Sequence, residues 1–506
     1  VYKQEFCMSK SFLLGVDQGS SGSRALIIDE AGTVHGYAYR PLARLHPRPD
    51  WVEQNPQEVA DGVAAVITQA VGEAGIQPNQ ITACGLTCQR NTDFVWDGRN
   101  GRSLSNAITW QDLRTKNLVK EVENSPFAAE TKRRLGYAPG TYMTALHLKW
   151  RMEHEPAVRA AAQTGHLRIG QSALWLVTAL GQANGHAMDS SLVQATGLYD
   201  FRARQYWQEW LDWLGVPLAA LPEATPTLHP FGEIEIAGPG GETAVIPVTA
   251  MIGDQQAALF GHGCRIPGDA ESTHGTAAYV KLFLGDNIPY QEHINVYNAW
   301  HLGDRQTYCL EAPTTVIGAA IRWMRDNARF IDEYEDVERL ATAVPDSGGV
   351  MFVPAFTGLD APYNDPNARA ALLGMTLGTE RGHIVRAFLE ALGYQLRAIK
   401  ETIARDAGVT MGQMLVGGGV SASDIACQIQ ADMLNIPILR PTFTETTAWA
   451  AALLAGLQTG VWPDVASLPP LPGSHHRFDP CPIPPRDLLA GYGRWQQAIR
   501  LIQSWQ

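Results

Sequence analysis

The chain has no run of lysine or arginine, and its formal net charge is −12 at neutral pH. General nucleic-acid binders and proteins of anionic membrane surfaces show a basic face, so neither class fits. Apolar runs of about 18 residues are missing, and no apolar leader core precedes the first strand. Together these predict a cytoplasmic protein without a membrane span. The seven cysteines (Cys7, Cys84, Cys88, Cys264, Cys309, Cys427 and Cys481) are scattered, odd in number and free of any CxxC pair. Cys84 and Cys88, four apart in an apolar segment, read as buried thiols rather than a metal pair. A Gly-x-x-x-x-Gly-Lys-Ser/Thr loop is also absent, which excludes a P-loop nucleotide site. Any phosphate must therefore be held by backbone amides, a divalent cation and single cationic side chains.

What is present is enough for two cores. The 506 residues are 45% hydrophobic and 18% charged, as in ordinary globular domains of roughly 250 residues each. Phe12–Val16 and Arg24–Ile28 read as a hairpin around Asp17-Gln18-Gly19-Ser20-Ser21-Gly22-Ser23. Helical spacing follows over Pro56–Gly75, then strands at Ile81–Leu86 and Phe94–Trp96, an α/β order. The pattern recurs: Val248–Ile252 ends at Gly253-Asp254-Gln255, and a second turn, Ser272-Thr273-His274-Gly275-Thr276, sits between β-like segments. Each half thus carries a strand ending in Asp-Gln. A long amphipathic helix spans Gly382–Asp406. Met414–Val416 is a short strand, Gly417-Gly418-Gly419 a turn and Ser421–Leu434 a helix. The Pro-rich stretch Leu468–Pro485 reads as surface wrapping, and a Trp-containing helix closes the chain. This organisation predicts two domains, 8–262 and 263–506. Residues 1–7 carry no usable signal.

Three of these turns suit phosphoryl transfer, which needs amides around phosphates, carboxylate-held Mg²⁺ and a base for the acceptor hydroxyl. The loop from Asp17 offers a carboxylate at a strand end and small residues with exposed amides. Gly275-Thr276 is a second such turn, and Gly417–Gly419 before a helix a third. The last also satisfies Gly-x-Gly-x-x-Ala through Ala422, as a dinucleotide-binding dehydrogenase would. That fold requires an acid at the end of the next strand, and Ile436–Leu439 runs into Arg440-Pro441 instead.

With GVDQGSSGSRALIIDEAG, DWVEQNPQEV, NAITWQDLRT, MIGDQQAALFGHG, FVPAFTGLDAPYNDP and TETTAWAAALLAGLQTG in order, the chain resembles the FGGY carbohydrate kinase family, its glycerol kinases most. The resemblance covers about Phe12 to Trp462. It implies a two-domain actin/Hsp70-like (ribonuclease H-like) ATPase fold with ATP and acceptor meeting in an interdomain cleft. The acceptor would lie on the N-terminal side and the nucleotide on the C-terminal side. It implies an ATP- and Mg²⁺-dependent kinase acting on a small polyol, glycerol to glycerol 3-phosphate first, in a homodimer or homotetramer.

Carried over by position, Asp254 matches the general base and Asp17 the Mg²⁺-associated acid. Ser20, Ser21 (for the usual Thr), Arg24 and Thr276 match phosphate-side positions. Gly318, Arg322, Gly419 and Ser423 match the nucleotide side, with Arg322 where Gln is usual and Ser423 where Asn is usual. Arg90, Asn91, Trp110, Tyr142, Asp254, Gln255 and Tyr279 match the acceptor set. Asn91 stands where glycerol kinases carry a Glu that accepts from two substrate hydroxyls, and Tyr279 stands where Phe is usual. Asn is shorter, uncharged and donates as well as accepts. It therefore opens a second reading, a tetritol, pentitol or ketopentose acceptor. A third, a non-catalytic sugar- or nucleotide-binding regulator, is disfavoured by retention of both Asp17 and Asp254. Members inhibited by fructose 1,6-bisphosphate carry Gly-Gly-Lys-Gly-Gly-Thr-Arg where this chain has Gly238-Pro239-Gly240-Gly241-Glu242-Thr243. An acid is gained and the cations are lost, so no such inhibition is expected.

Overall fold

The computed structural model describes residues 11–274, 278–289, 292–314 and 317–505. The expected phosphate turn at Gly275-Thr276 lies outside the described residues, as do residues 1–7. The chain forms two compact units. The first runs to Gly263 and takes in Tyr297–Thr307 and Glu445–Pro472, while the second comprises Cys264–Val296, Tyr308–Thr444 and the chain from Gly473. The units are thus interleaved along the chain, where the sequence predicts one cut at 262/263.

The first unit is built on a seven-stranded sheet of β1 (Phe12–Gln18), β2 (Gly22–Asp29), β3 (Val34–Pro41), β4 (Ile81–Cys88), β5 (Gly181–Ala183), β6 (Leu228–Ala237) and β7 (Thr243–Gly253), in the order β3-β2-β1-β4-β7-β6-β5. β1 and β2 form the expected hairpin. Both strands run further than predicted, pairing Asp17 with Arg24 and Gln18 with Ser23, so only Gly19-Ser20-Ser21 is left as the tip. β4 lies parallel to both β1 and β7, and all seven residues of β1 are buried, as an interior strand requires. The helix Pro56–Ala74 starts where Asn55 accepts from the amides of Gln57 and Glu58, and it stops at left-handed Gly75.

A second helix, Thr446–Gln458, packs on β1 and β4. Its Ala448, Ala451 and Ala452 are buried to completion. Gly15 of β1 and Gly85 of β4 take its backbone directly: a Cβ on Gly15 would collide with the Ala448 carbonyl oxygen, and one on Gly85 with that of Ala451. Small residues on both sides let helix and strands approach to backbone contact.

A second seven-stranded sheet repeats the plan. It contains β8 (Asp269–His274), β9 (Ala278–Gly285), β10 (Asn295–Leu302), β11 (Arg305–Thr314), β12 (Gln413–Gly417), β13 (Ile438–Pro441) and β14 (His475–Phe478), in the order β10-β11-β9-β8-β12-β13-β14. In each sheet an antiparallel trio (β3-β2-β1, then β11-β9-β8) is followed by two parallel strands. The internal repeat is therefore real, but its counterpart to β1 is β8. The strand ending at Gly253 is instead the fifth of the first sheet, so the matching Asp-Gln pairs do not mark equivalent places.

Two other expectations change. Leu468–Pro485 is not only wrapping: His475–Phe478 pairs antiparallel with β13 as an edge strand. Those four residues contain no proline, so their amides remain able to pair. The helix expected over Ser421–Leu434 is two pieces, a 3₁₀ turn at Gly419–Ala422 and a helix at Asp424–Leu434, because Ser423 is extended and caps the second. The long helix is observed at Arg381–Ala407 and the closing helix at Arg486–Ser504. Cys84, Cys88, Cys264 and Cys427 are free and buried, and Cys309 is buried as well. Among the described residues no helix is long and apolar enough to cross a membrane.

Because the helix carbonyl cannot move without breaking its own helix, Gly85→Ala is expected to destabilise the protein by about 1–3 kcal/mol. Urea unfolding of the two proteins side by side measures it.

Candidate functional site

Register places the first cluster. Asp17 pairs with Thr87, and Thr87 with Ile252; Gln18 pairs with Cys88, and Cys88 with Gly253. The residues that follow, Gln89-Arg90-Asn91 after β4 and Asp254-Gln255 after β7, leave the sheet beside Asp17. This is the carboxyl edge of parallel strands, where open α/β sheets present ligands.

Asp254 is the first residue of the helix Asp254–Gly261, whose N-cap Gly253 is extended. Its Oδ1 accepts from the Gln255 amide at 2.7 Å and lies 3.7 Å from Arg90 Nε. A Cβ on Gly253 would sit 3.1 Å from Arg90 Cδ, so glycine there leaves room for the arginine stem. The Arg90 guanidinium lies over the Tyr297 ring, 4.6 Å from its centroid. Tyr297 stacks on Tyr137 at 4.9 Å, and Tyr137 tilts against Tyr142 at 6.2 Å. The Tyr142 hydroxyl donates to the Ala138 carbonyl. Arg90, Asp254, Gln255 and Tyr142 thus belong to one connected wall, which also contains Tyr137 and Tyr297.

Asn91 is buried and left-handed, with φ 58°, a conformation that Asn tolerates better than most residues. Its Oδ1 has no hydrogen-bond partner among the described residues. Trp110 is half-buried, and its indole N–H donates to Ser20 Oγ at 2.9 Å, tying the acceptor set to the first turn. Tyr279 is half-buried on β9, opposite Thr273 and Pro313. It is carried by the second unit, the rest of the acceptor set by the first.

Asp17 is buried at the end of β1. Its Oδ2 accepts from Thr447 Oγ1 at 2.8 Å and from Arg24 Nη1 at 3.3 Å, whereas its Oδ1 has no partner among the described residues. Burial pushes its carboxyl above the usual range, with the Arg24 charge and the Thr447 hydrogen bond opposing that shift. Arg24 also pairs with Glu445 at 3.2 Å, so its charge is shared between two carboxylates. Ser21 is exposed at the tip of the turn, and its carbonyl accepts from the Leu42 amide and the Tyr39 hydroxyl.

In the second unit, Gly318, Arg322, Gly419 and Ser423 all line one cavity of about 510 Å³, walled further by Ile321, Val337 and Val420. No atom of the described residues lies within 4 Å of where a Cβ on Gly419 would sit, so the glycine leaves open space among them. Ser423 Oγ accepts from the Ala426 amide and donates to Glu338, whose carboxylate also takes the Ile425 amide at 3.3 Å. Ser423 thus shapes the cavity while capping a helix. Arg322 is exposed on the helix Ile317–Asp326.

Residues 12–261 match the N-terminal domain model of the FGGY family of carbohydrate kinases, and residues 273–459 match its C-terminal domain model. The chain belongs to the FGGY family of carbohydrate kinases. It is an ATP-dependent kinase. It is 39% identical to a glycerol kinase of Leptothrix cholodnii over 97% of this chain and 99% of that one. With a glycerol kinase of Symbiobacterium thermophilum it shares 37% identity, over 98% and 99%. Among solved structures, Plasmodium falciparum glycerol kinase with ADP superposes with a TM-score of 0.90 at 26% identity, covering 97% of this chain and 98% of that one. A xylulose kinase from Rhodospirillum rubrum, at 21% identity and a TM-score of 0.86 over 98% and 99%, has the same fold. That fold is the two-domain actin-like ATPase fold.

For an FGGY kinase the sequence reading missed Glu445, Thr447, Tyr137 and Tyr297. The first two lie in the TETTAWAAALLAGLQTG stretch that carries the family resemblance, so a signal existed without a role. Tyr297 had none, because its partner Arg90 is about two hundred residues away in the chain.

Thr447→Val removes a hydrogen bond to the charged form of Asp17, so the carboxyl should titrate at still higher pH. Carboxyl ¹³C NMR of the labelled protein follows it. At the β6–β7 turn, the Gly238 amide donates to the Glu242 carbonyl, and the Glu242 carboxylate lies over Gly238 and Gly240. A sugar bisphosphate would meet negative charge there. A fructose 1,6-bisphosphate titration to millimolar concentration should leave turnover unchanged.

Proposed function

We propose that this kinase transfers the γ-phosphoryl group of ATP to a hydroxyl of a short polyol, glycerol foremost, with Asp254 as general base. The observation that carries this reading is the placement of a partly exposed carboxylate, Asp254, at the same sheet edge as Asp17 and next to Arg90. In the reaction the acceptor oxygen bonds to the γ-phosphorus as its proton passes to Asp254. The bond from phosphorus to the bridging oxygen breaks, and ADP leaves with that electron pair. Arg90 and the helix N-terminus at Asp254 both stabilise negative charge at the base.

The similarity to glycerol kinases supports glycerol as acceptor. Trp110 and the Tyr142 side offer apolar walls to a carbon chain, while Arg90 and Asn91 offer polar groups to its hydroxyls. The buried, unpartnered Asn91 Oδ1 would accept one hydroxyl proton. It also favours a second reading, a longer polyol or ketose, since the carboxylate usual at this position is missing.

The partnerless Oδ1 of Asp17 fits a Mg²⁺ ion accompanying the nucleotide. No cluster of three His, Cys, Asp or Glu that could hold a metal occurs among the described residues. A single carboxylate, with waters and phosphate oxygens completing the shell, is the usual manner of Mg²⁺ binding. When bound, the ion would neutralise phosphate charge. Gly318, Arg322, Gly419 and Ser423 would receive the nucleoside part of ATP in the cavity they line.

Asp254→Asn should lower kcat by about 10²–10⁴-fold while acceptor binding persists, as loss of a general base does. Steady-state kinetics paired with calorimetric acceptor binding checks both halves, and wild-type turnover in the variant would sink the assignment. Asn91→Ala should raise KM for the preferred acceptor by about three- to tenfold, the equivalent of one neutral hydrogen bond, and leave KM for ATP alone. Running it on glycerol, tetritols, pentitols and ketopentoses identifies that acceptor.

A further inference from the structure

We propose that Asp189 is a positioning residue for the reaction: its buried carboxylate ties the backbone ahead of Asp254 and the segment carrying Tyr297 into one frame. The inference rests on the reading of Asp254 as the base.

Asp189 is fully buried between β-structure and the short helix Ser190–Ala195, and no cation pairs with it among the described residues. Burial lifts its carboxyl to about 6 although its hydrogen bonds to Ser191, Thr227 and the backbone pull the other way. Such a placement carries a cost, and a simple cap would use only part of it. Oδ1 accepts from the amides of Ser191 at 2.8 Å and Leu192 at 3.3 Å, which is the capping role. The same oxygen also accepts from Ser191 Oγ, and Oδ2 accepts from Thr227 Oγ1 at 2.6 Å.

The two hydroxyls are what reach the site. A carboxylate only accepts, so it draws both hydroxyl protons toward itself and leaves both hydroxyl oxygens as acceptors. Ser191 Oγ then takes the Gly253 amide at 3.1 Å, one residue before Asp254. Thr227 Oγ1 takes the His301 amide at 2.9 Å, on the strand whose Tyr297 lies against Arg90. The capped helix holds that strand a second time, through Gln194 Oε1 accepting from the Asn298 amide and the Ser190 carbonyl accepting from Asn298 Nδ2. Asn298 closes the circuit, because its carbonyl accepts from Gln256 Nε2 in the helix that Asp254 begins. Base, Arg90 support and helix are thus fixed to each other through one carboxylate, two hydroxyls and the amide hydrogen bonds of Gln194, Asn298 and Gln256. Displacing a reacting group by an ångström lowers rate far more than it weakens binding.

Ser191→Ala deletes the hydroxyl relay and leaves the Asp189 cap on the backbone amides intact. The expected result is a fall in kcat of about tenfold or more with KM for ATP unchanged. Ser191→Thr, which keeps the hydroxyl, should return kcat to within about threefold of the wild type. Wild-type kcat in S191A, or equal impairment of S191A and S191T, would overturn the role. So would a loss in S191A that thermal melting shows to be unfolding. Asp254→Asn is measured in the same series. Turnover lost there while S191A behaves as wild type removes only the Asp189 role, whereas turnover retained in D254N removes the base and this inference with it.

Discussion

Helix Thr446–Gln458 lies with its backbone directly on β1 and β4, and the first unit's site depends on that approach. Gly15 and Gly85 on the strands, met by Ala448 and Ala451 on the helix, leave no side chain between them. At ordinary helix-on-sheet distance the helix would start several ångströms further out. Thr447 would then not reach Asp17, and Glu445 would not reach Arg24. The site's charges are therefore set by packing of the smallest residues in the core.

The outcome is a sheet edge where charge is balanced locally in a protein of net negative charge. Asp17 is opposed by Arg24, Arg24 is shared with Glu445, and Arg90 faces Asp254. One oxygen of Asp17 stays without a partner although buried. Buried polar atoms are nearly always satisfied, so an unsatisfied one at this strand end supports the proposed ligand there. Asn91 repeats this on the neighbouring strand's loop. On the proposed reading, these open acceptors are where the nucleotide's cation and the hydroxylated substrate would arrive. The same edge is braced from behind by the bonds that run through Asp189.

Much of this was legible in the sequence where the cause is local. The β1–β2 hairpin, the helix from Pro56 and the long helix over Gly382–Asp406 announce themselves by short apolar runs around a Gly/Ser tip and by helical spacing. Four residues assigned to the nucleotide by family resemblance, Gly318, Arg322, Gly419 and Ser423, line one cavity although about a hundred positions separate the pairs. What was hidden is long-range. Thr447 and Asp17 are 430 residues apart. The place of Thr243–Gly253 in the first sheet depends on pairing with β4, which no window around Asp254 contains. The edge strand inside the Pro-rich tail was masked by its flanking prolines.

The most direct test of the central claim is ³¹P NMR of the wild-type protein with ATP, Mg²⁺ and glycerol, the other short polyols replacing glycerol in parallel samples. The account predicts a phosphomonoester signal that grows in step with ADP for at least one acceptor. ADP appearing only with inorganic phosphate, or ATP left unconsumed with every acceptor, would contradict it.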